Sequence, residues 1–402
     1  MKIVGLITEY NPFHFGHQLH LSESKRITNA DLSIAVMSGH FVQRGEPALV
    51  DKWHRAKMAI DSGVDLVFEL PTYYASQSAE IFAIGSILIL NALPHVSDFC
   101  FGSEHGNLKE LKTIASLLVS ESPEYKAQLK NSLNQGNSYP KARNDSLKAI
   151  LGDFVEPILD NSNNILAIEY LKALEYTKSS LRPHTITRSG HAYNSAILDE
   201  NICSATAIRK GILEHSLTET ASFMPKSSYA SLEAFLEKFK TFNHLNHYSP
   251  IINYLITQEP QRFDRLLDNE SGLAQRFYKY ALSNPSAEDL IQSVKTKRYT
   301  LTRLQRLLIN LLLDTPYDLL KPLTFEAPQY LRLLGYSSAG RQYLNQVKKD
   351  LDIPIISNVN KHSELASNPF LNLDLKASML YYQGINAALH LDKVTYPYCQ
   401  SR

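Results

Sequence analysis

The stretch His14-Phe15-Gly16-His17 follows Asn11-Pro12 and the apolar run Ile3-Val4-Gly5-Leu6-Ile7, so two imidazoles open a predicted helix just beyond a predicted strand. Backbone N–H groups and the positive end of a helix dipole point at whatever binds in such a turn. The imidazoles add donors able to follow charge that develops on a phosphate. Gly16 keeps side-chain bulk away, so a nucleotide phosphate can lie against the backbone. Such an arrangement suits chemistry at an α-phosphate better than nucleotide storage. The plainer alternative is two capping or surface histidines, and the strand, Asn11-Pro12 and the glycine argue against it.

A second constellation, Ser204-x-Thr206-x-x-Arg209, places hydroxyls at a helix start and an arginine on its first turn. Arginine offers a planar fork of donors that matches the β- and γ-phosphates. In isolation it reads as a Ser/Thr cap with a solvated arginine; beside the histidine motif it reads as the other half of a triphosphate site. A third group, Lys295, Lys297, Arg298, Tyr299, Arg303 and Arg306, combines cations with an aromatic ring. It suits phosphate contact with base or sugar stacking on RNA, though most charge runs are solvated faces. Arg303 and Arg306 share a helix flank, Leu304, Leu307, Leu308 and Leu311 form its buried side, and Thr300 or Thr302 is expected to cap it. A weaker basic patch is Arg332, Arg341, Lys348 and Lys349. The polar loop Ser38–Gly45 reads either as a cover over a bound intermediate or as a flexible connection. Lys52, His54 and Arg55 read as a solvated helix face.

These groups need a scaffold. Ile34–Met37, Val64–Phe68 and Phe99–Gly102 are predicted buried strands, alternating with helical patterns at His17–Ile27, Asp51–Ser62 and Ser78–Leu90. This βαβαβ rhythm predicts a parallel sheet with ligands at the carboxyl ends of its strands. The expected fold is therefore α/β: a Rossmann-like domain over residues 1–223, with a helical insertion at about 106–160, then a mainly α-helical domain over 224–402. Asn163-Asn164 are expected to cap a helix beginning at Ile165, and Thr185–Arg188 to form a late strand.

The 402 residues suffice for two cores. The net charge of +1 predicts no polyanion partner by itself. From Ala221 onward, however, 21 Lys and Arg face 16 Asp and Glu, a net +5, which is permissive for RNA. Cys100, Cys203 and Cys399 are widely spaced and argue against a disulfide framework or a zinc knuckle. No apolar run approaches the roughly 20 residues that span a bilayer. A cytoplasmic protein without a membrane or a structural metal is expected.

Asn11–His17 resembles the first signature of the HIGH-type nucleotidyltransferase superfamily, and Ser204–Arg209 resembles the Ser/Thr-x-x-Arg form of its second. More specifically, Gly5–His14, Ser38–Gly45, Asn163–Leu166 and Lys297–Thr300 are similar to the bacterial tRNA(Met) cytidine acetate ligase family. That resemblance implies activation of acetate by ATP to acetyl-adenylate, then transfer of acetyl to N4 of the wobble cytidine (C34) of elongator tRNA(Met). It assigns His14 and His17 to catalysis. It places ATP against Ile7, Thr8, Glu9, Tyr10, Asn11, Pro12, Phe13, His14, Phe15, Gly16, His17, Gln18, Leu19, His20, Gly102, Asn164 and Arg188. Ser204, Thr206 and Arg209 would hold the outer phosphates, with Mg2+ sharing their charge. Two other readings are an adenylyltransferase acting on a small phosphate-bearing metabolite, which would need little of the basic helical half, and a noncatalytic nucleotide-sensing RNA-binding protein.

Overall fold

A computed structural model describes residues 1–188, 203–267, 269–296 and 298–400. Four strands build the centre of the main sheet: β1 (Ile3–Thr8), β2 (Leu32–Ser38), β5 (Leu66–Leu70) and β6 (Val96–Ser103). A short hairpin, β3 (Phe41–Val42) and β4 (Glu46–Pro47), leaves the sheet after β2. The connecting helices are α1 (Phe15–Thr28), α2 (Lys52–Asp61), α3 (Thr72–Ala75) and α4 (Ala79–Asn91). Strands β1, β2, β5 and β6 pair in parallel, and β2 and β5 are buried along their whole length. Burial on both faces explains why these strands read as apolar runs without alternation.

Four helices follow β6: α5 (Leu108–Ser120), α6 (Pro123–Asn134), α7 (Tyr139–Leu151) and α8 (Val155–Leu159), in the region expected to be a helical insertion. Next come α9 (Ser162–Tyr176), strand β7 (Arg182–Thr187), parallel to β6, and α10 (Ala205–Glu214). Helix α9 begins earlier than expected, so Asn163 and Asn164 lie in its first turn instead of capping it. The cap position is Asn161, whose side chain makes no capping bond; the Glu104 carboxylate takes the free N–H groups of Asn163 and Asn164 at 3.4 and 2.9 Å.

Beyond Met224 the chain is mostly helical: α11 (Lys226–Phe239), α12 (Ser249–Gln258), α13 (Leu273–Ala281), α14 (Ala287–Val294), α15 (Leu301–Leu313) and α16 (Tyr317–Leu320). It then returns to the sheet. Strand β8 (Leu331–Tyr336) pairs antiparallel with β5; α17 (Ser338–Val347), β9 (Ile355–Ile356), α18 (Pro369–Gly384), α19 (Leu391–Val394) and β10 (Tyr398–Cys399) follow. The strand order is β10-β8-β5-β2-β1-β6-β7, with β9 beside β8. Leucine periodicity could not reveal β8, because its pairing partner lies more than two hundred residues upstream.

The last elements also overturn two surface readings. Lys52 and Arg55 are fully buried, not solvated. Lys52 Nζ sits 2.7 Å from Glu69 Oε2 and 3.0 Å from Asp392 Oδ1. Arg55 donates to the backbone carbonyls of Glu9, Ser38, Gly39 and Val50, tying together the carboxyl ends of β1 and β2. Arg332, assigned to the weaker basic patch, is buried against Asp392.

Candidate active site

Strand β1 ends in a turn in which Tyr10 adopts φ +46° and Asn11-Pro12 is cis. The turn is pinned from two sides. Asn11 Oδ1 accepts the Leu49 N–H at 2.8 Å, and the Asn11 carbonyl accepts from Arg209 Nη1 at 3.0 Å. Tyr10 and Phe13 are buried beneath it, packed on each other and on the His17 ring.

His14 is the N-cap of α1. Its Nδ1 accepts the Gly16 N–H at 3.0 Å, while His17 Nδ1 accepts the His14 N–H at 3.4 Å, closing a capping box built from two imidazoles. Each ring therefore uses Nδ1 as an acceptor, which places the proton of the neutral ring on Nε2. Burial lowers the His14 pKa to about 4, with Arg188 and Arg209 adding to the effect. His17 is pushed well below the usual imidazole range by burial, then by His14, Arg188 and His20. Desolvation, with Arg188 adding to it, likewise lowers the partly buried His20 to about 4. The motif thus presents neutral N–H donors at neutral pH.

A stability prediction follows from these shifts. Unfolded imidazoles take up protons near pH 6.5, whereas folded His14 resists protonation down to about pH 4. Its contribution to stability is therefore lost progressively as pH falls between those values. Urea midpoints should drop from pH 7 to pH 5 by more in the wild type than in His14→Gln; equal drops would remove His14 as the cause.

His17 and His20 line a cavity of about 730 Å³ at the carboxyl ends of β1, β6 and β7. Its floor is Ile7, Thr8, Glu9 and Gly16, and Gly102 and Arg188 close the far side. A Cβ at Gly102 would sit 2.7 Å from Arg188 Cδ, so only glycine lets that arginine lie across the strand. Apolar wall comes from Phe82, Phe101, Ile165 and Tyr170, which the sequence reading did not assign to a site. A pocket of this size with convergent cations suits a nucleotide.

The whole chain supports the same conclusion. Residues 1–394 match the family described as HIGH Nucleotidyl Transferase. The chain is 43% identical over 390 residues, 95% of both proteins, to the tRNA(Met) cytidine acetate ligase of Clostridium perfringens strain ATCC 13124. It is 42% identical over 383 residues, again 95% of both, to the same-named protein of Caldanaerobacter subterraneus. The crystal structure of Thermotoga maritima TmcAL bound with alpha-thio ATP superposes with a TM-score of 0.91 at 30% identity over the full length of both chains. The chain belongs to the tRNA(Met) cytidine acetate ligase family.

In this member of the tRNA(Met) cytidine acetate ligase family, the other residues expected at the ATP site take several positions. Tyr10, Asn11, Pro12, Phe13 and His14 form the buried underside of the motif. Phe15 and Leu19 are partly buried on α1, and Gln18 is exposed. Asn164 is buried as a clamp, its Oδ1 accepting the His105 N–H at 2.9 Å and its Nδ2 donating to the Ile158 carbonyl at 3.1 Å, while its neighbours Ser162 and Asn163 face the cavity. Ser204 caps α10 by accepting the Ala207 N–H at 3.2 Å. Arg209 reaches the histidine turn and also meets Glu46 Oε2 at 3.3 Å and Thr206 Oγ1 at 3.4 Å. Both halves of the signature therefore touch at Asn11. Among the described residues no group of three or more His, Cys, Asp or Glu side chains could hold a metal ion.

The loop Ser38–Gly45 is neither a free lid nor a loose connection. His40 and Phe41 are buried, with the His40 ring 4.5 Å from that of Tyr381 on α18. Gln43 and Arg44 face the cavity. Gly45, at φ +77°, lies so close to α15 that a Cβ would reach within 2.2 Å of Arg306 N.

This contact brings the basic stretch to the ATP cavity. Thr302 and Arg306 line the same cavity as His17. Farther out, Arg303 and the exposed Arg298 both pair with Glu270, at 2.7 and 2.5 Å. Tyr299 is buried, and the Arg298 and Arg303 guanidiniums lie 5.6 and 5.7 Å from its ring centre, so the ring positions the arginines instead of standing free for a base. Lys295 ends α14, and Lys297 lies outside the described residues. No described helix is long and apolar enough to cross a membrane.

Proposed function

We propose that this protein activates acetate with ATP and transfers the acetyl group to N4 of the wobble cytidine of elongator tRNA(Met). The observation that carries the reading is one cavity lined both by His17 and by Thr302 and Arg306 of the basic helix. An adenylate formed against the histidines would lie within reach of a nucleotide arriving along α15.

In the first step an acetate oxygen attacks the α-phosphorus of ATP, and the bond to the bridging oxygen of pyrophosphate breaks. Such a transfer needs in-line placement and neutralisation of charge more than a protein nucleophile. The Nε2–H of His17 would donate to the α-phosphate, with His14 holding the turn. Arg188 and Arg209 would take up negative charge on the departing pyrophosphate, Ser204 and Thr206 sitting at its end of α10. Mg2+ would travel on the ATP phosphates, since the described residues of the cavity supply no carboxylate cluster. Lys295, Lys297, Arg298, Arg303 and Arg306 would meet the RNA backbone, with Tyr299 beneath them. Residues 1–223 would serve activation and 224–402 tRNA binding, the two regions held together by β8, β10 and the buried ion pairs. Action on soluble tRNA places the reaction in the cytoplasm.

The test is incubation with ATP, labelled acetate and purified tRNAs, followed by nuclease digestion and mass spectrometry of nucleosides. Labelled N4-acetylcytidine should appear with elongator tRNA(Met), and its consistent absence defeats the reading. Charge reversal in Arg298→Glu should weaken tRNA binding by roughly tenfold, the order expected for losing a phosphate contact and gaining repulsion. Unchanged affinity and salt dependence would remove Arg298 from the interface.

A further inference from the structure

Transfer of acetyl from an adenylate to cytidine N4 releases a proton. The N4 lone pair is conjugated into the base, so the amine is a weak nucleophile, and a positioned base must take that proton as the new bond forms. This requirement rests on the function proposed above, and it can be searched for among the groups on the cavity wall.

Most candidates fail on geometry. His14 and His17 already use Nδ1 to accept backbone N–H groups, so each neutral ring is a donor at its remaining nitrogen. His20 Nε2 is buried with no accessible surface. Arg44, Arg188 and Arg306 are permanent cations. Burial pushes the Tyr170 hydroxyl far above its ordinary range. Among the described residues lining the cavity, the remaining candidate is its single carboxylate, Glu9.

Glu9 stands at the carboxyl end of β1, where three elements meet. Its Oε1 accepts the Gln43 N–H at 2.9 Å, from the hairpin that packs on α15. Its own carbonyl accepts from Arg55 Nη1 at 2.7 Å, which fixes the backbone at this position. Gln43 is itself anchored, its Nε2 donating to the Gln77 carbonyl at 3.0 Å. No hydrogen bond or ion pair to Glu9 Oε2 occurs among the described residues. The carboxylate is thus held by one oxygen, between the histidine helix and the basic helix.

We infer that Glu9 accepts the N4 proton of the incoming cytidine. As the N4–carbonyl carbon bond forms, the proton passes from N4 to a Glu9 oxygen. The bond from the carbonyl carbon to the AMP oxygen then breaks, AMP leaves with that electron pair, and Glu9 later returns the proton to water. Burial raises the Glu9 pKa, while the Gln43 N–H, Arg209, Arg44 and Arg55 pull it back; Tyr170 on α9 is its other titratable neighbour. The net direction is upward, so the carboxylate is more basic than an exposed one.

The experiment compares two rates in each variant: acetate-dependent ATP–pyrophosphate exchange, and single-turnover transfer from preformed acetyl-adenylate to elongator tRNA(Met). Glu9→Gln keeps the size and the acceptor for the Gln43 N–H but cannot take a proton. The ratio of transfer to exchange should fall about a hundredfold, the usual scale of general-base catalysis, and the acidic limb of the transfer pH profile should vanish. Glu9→Asp should transfer more slowly yet keep that limb. This second variant decides the matter if Glu9→Gln does not fold. An unchanged ratio and limb in Glu9→Gln, or a lost limb in Glu9→Asp, overturns the inference in favour of proton loss to the leaving phosphate. An equal fall of both rates makes Glu9 a nucleotide ligand and overturns it too. Failure of the wild type to form N4-acetylcytidine is a separate result that defeats the functional reading, and this inference with it.

Discussion

His17→Ala lowers acetate-dependent pyrophosphate exchange by about 100- to 1,000-fold, the effect of removing one preorganised donor from a developing oxyanion. The residue does two things that can be separated. Its Nδ1 accepts the His14 N–H, a capping contact whose loss costs about 1 kcal/mol. Its ring lines the cavity, and the Nε2–H left free for a ligand has no equivalent in alanine. The ring also packs on Tyr10 and Phe13, so melting is measured beside exchange, and a collapse of exchange in a variant that stays folded at the assay temperature cannot come from unfolding. His17→Asn sharpens the comparison. Its amide oxygen can still accept the His14 N–H, but its shorter side chain places no donor where the ring Nε2 lies. Melting of this variant should stay close to the wild type while exchange falls as in His17→Ala. Normal exchange in His17→Asn would remove the histidine from phosphate stabilisation.

Lys52→Met destabilises the fold by about 3–5 kcal/mol, the usual penalty for leaving buried carboxylates without their cation. Lys52 Nζ bridges Glu69 on β5 and Asp392 on α19, and all three side chains are at most 3% exposed. Arg332 on β8 remains 3.5 Å from Asp392 but does not replace the contact to Glu69. Urea denaturation measures the loss. It should depend on pH with a definite sign. Although burial opposes it, Lys52, Arg332 and His40 hold the Asp392 carboxyl below its ordinary range. The stability it contributes is therefore present above the unfolded carboxylate pKa and lost as pH falls through the folded value. The wild-type advantage over Lys52→Met should be greatest near neutrality and shrink in acid. A difference below about 1 kcal/mol at pH 7 would mean that the pair does not outweigh its own desolvation.

The same lysine shows where reading the chain stops. Lys52 and Arg55 lie one turn apart on α2 with His54 on another flank, and local pattern makes each of them a solvated side chain. Their surroundings come from partners that arrive late: Asp392 for the buried Lys52, Phe235 and Phe239 around the partly buried His54, and β8 with its Arg332 paired to Asp392. Arg55 is different again, since its partners are strand-end carbonyls that carry no side-chain signature. Asn164 shows the converse. Placed against ATP by resemblance, it is engaged in holding the loop after β6 to α9, and its neighbours face the cavity.

The sequence by itself determined the strand–turn–helix carrying His14, Gly16 and His17, the parallel sense of the central strands but not their order, the arginine helix beginning at Ser204, and the family. Each depends on residues close together in the chain, where alternation, helical period and caps act over a few positions. The tertiary structure alone decided that β8 closes the sheet antiparallel to β5, that Lys52, Arg55 and Arg332 lie inside, that Arg209 grips Asn11, and that α15 brings Thr302 and Arg306 to the cavity of His17. These depend on pairings across one to three hundred residues. No local period encodes such a pairing; it arises only when buried charges and strand edges must find partners away from water.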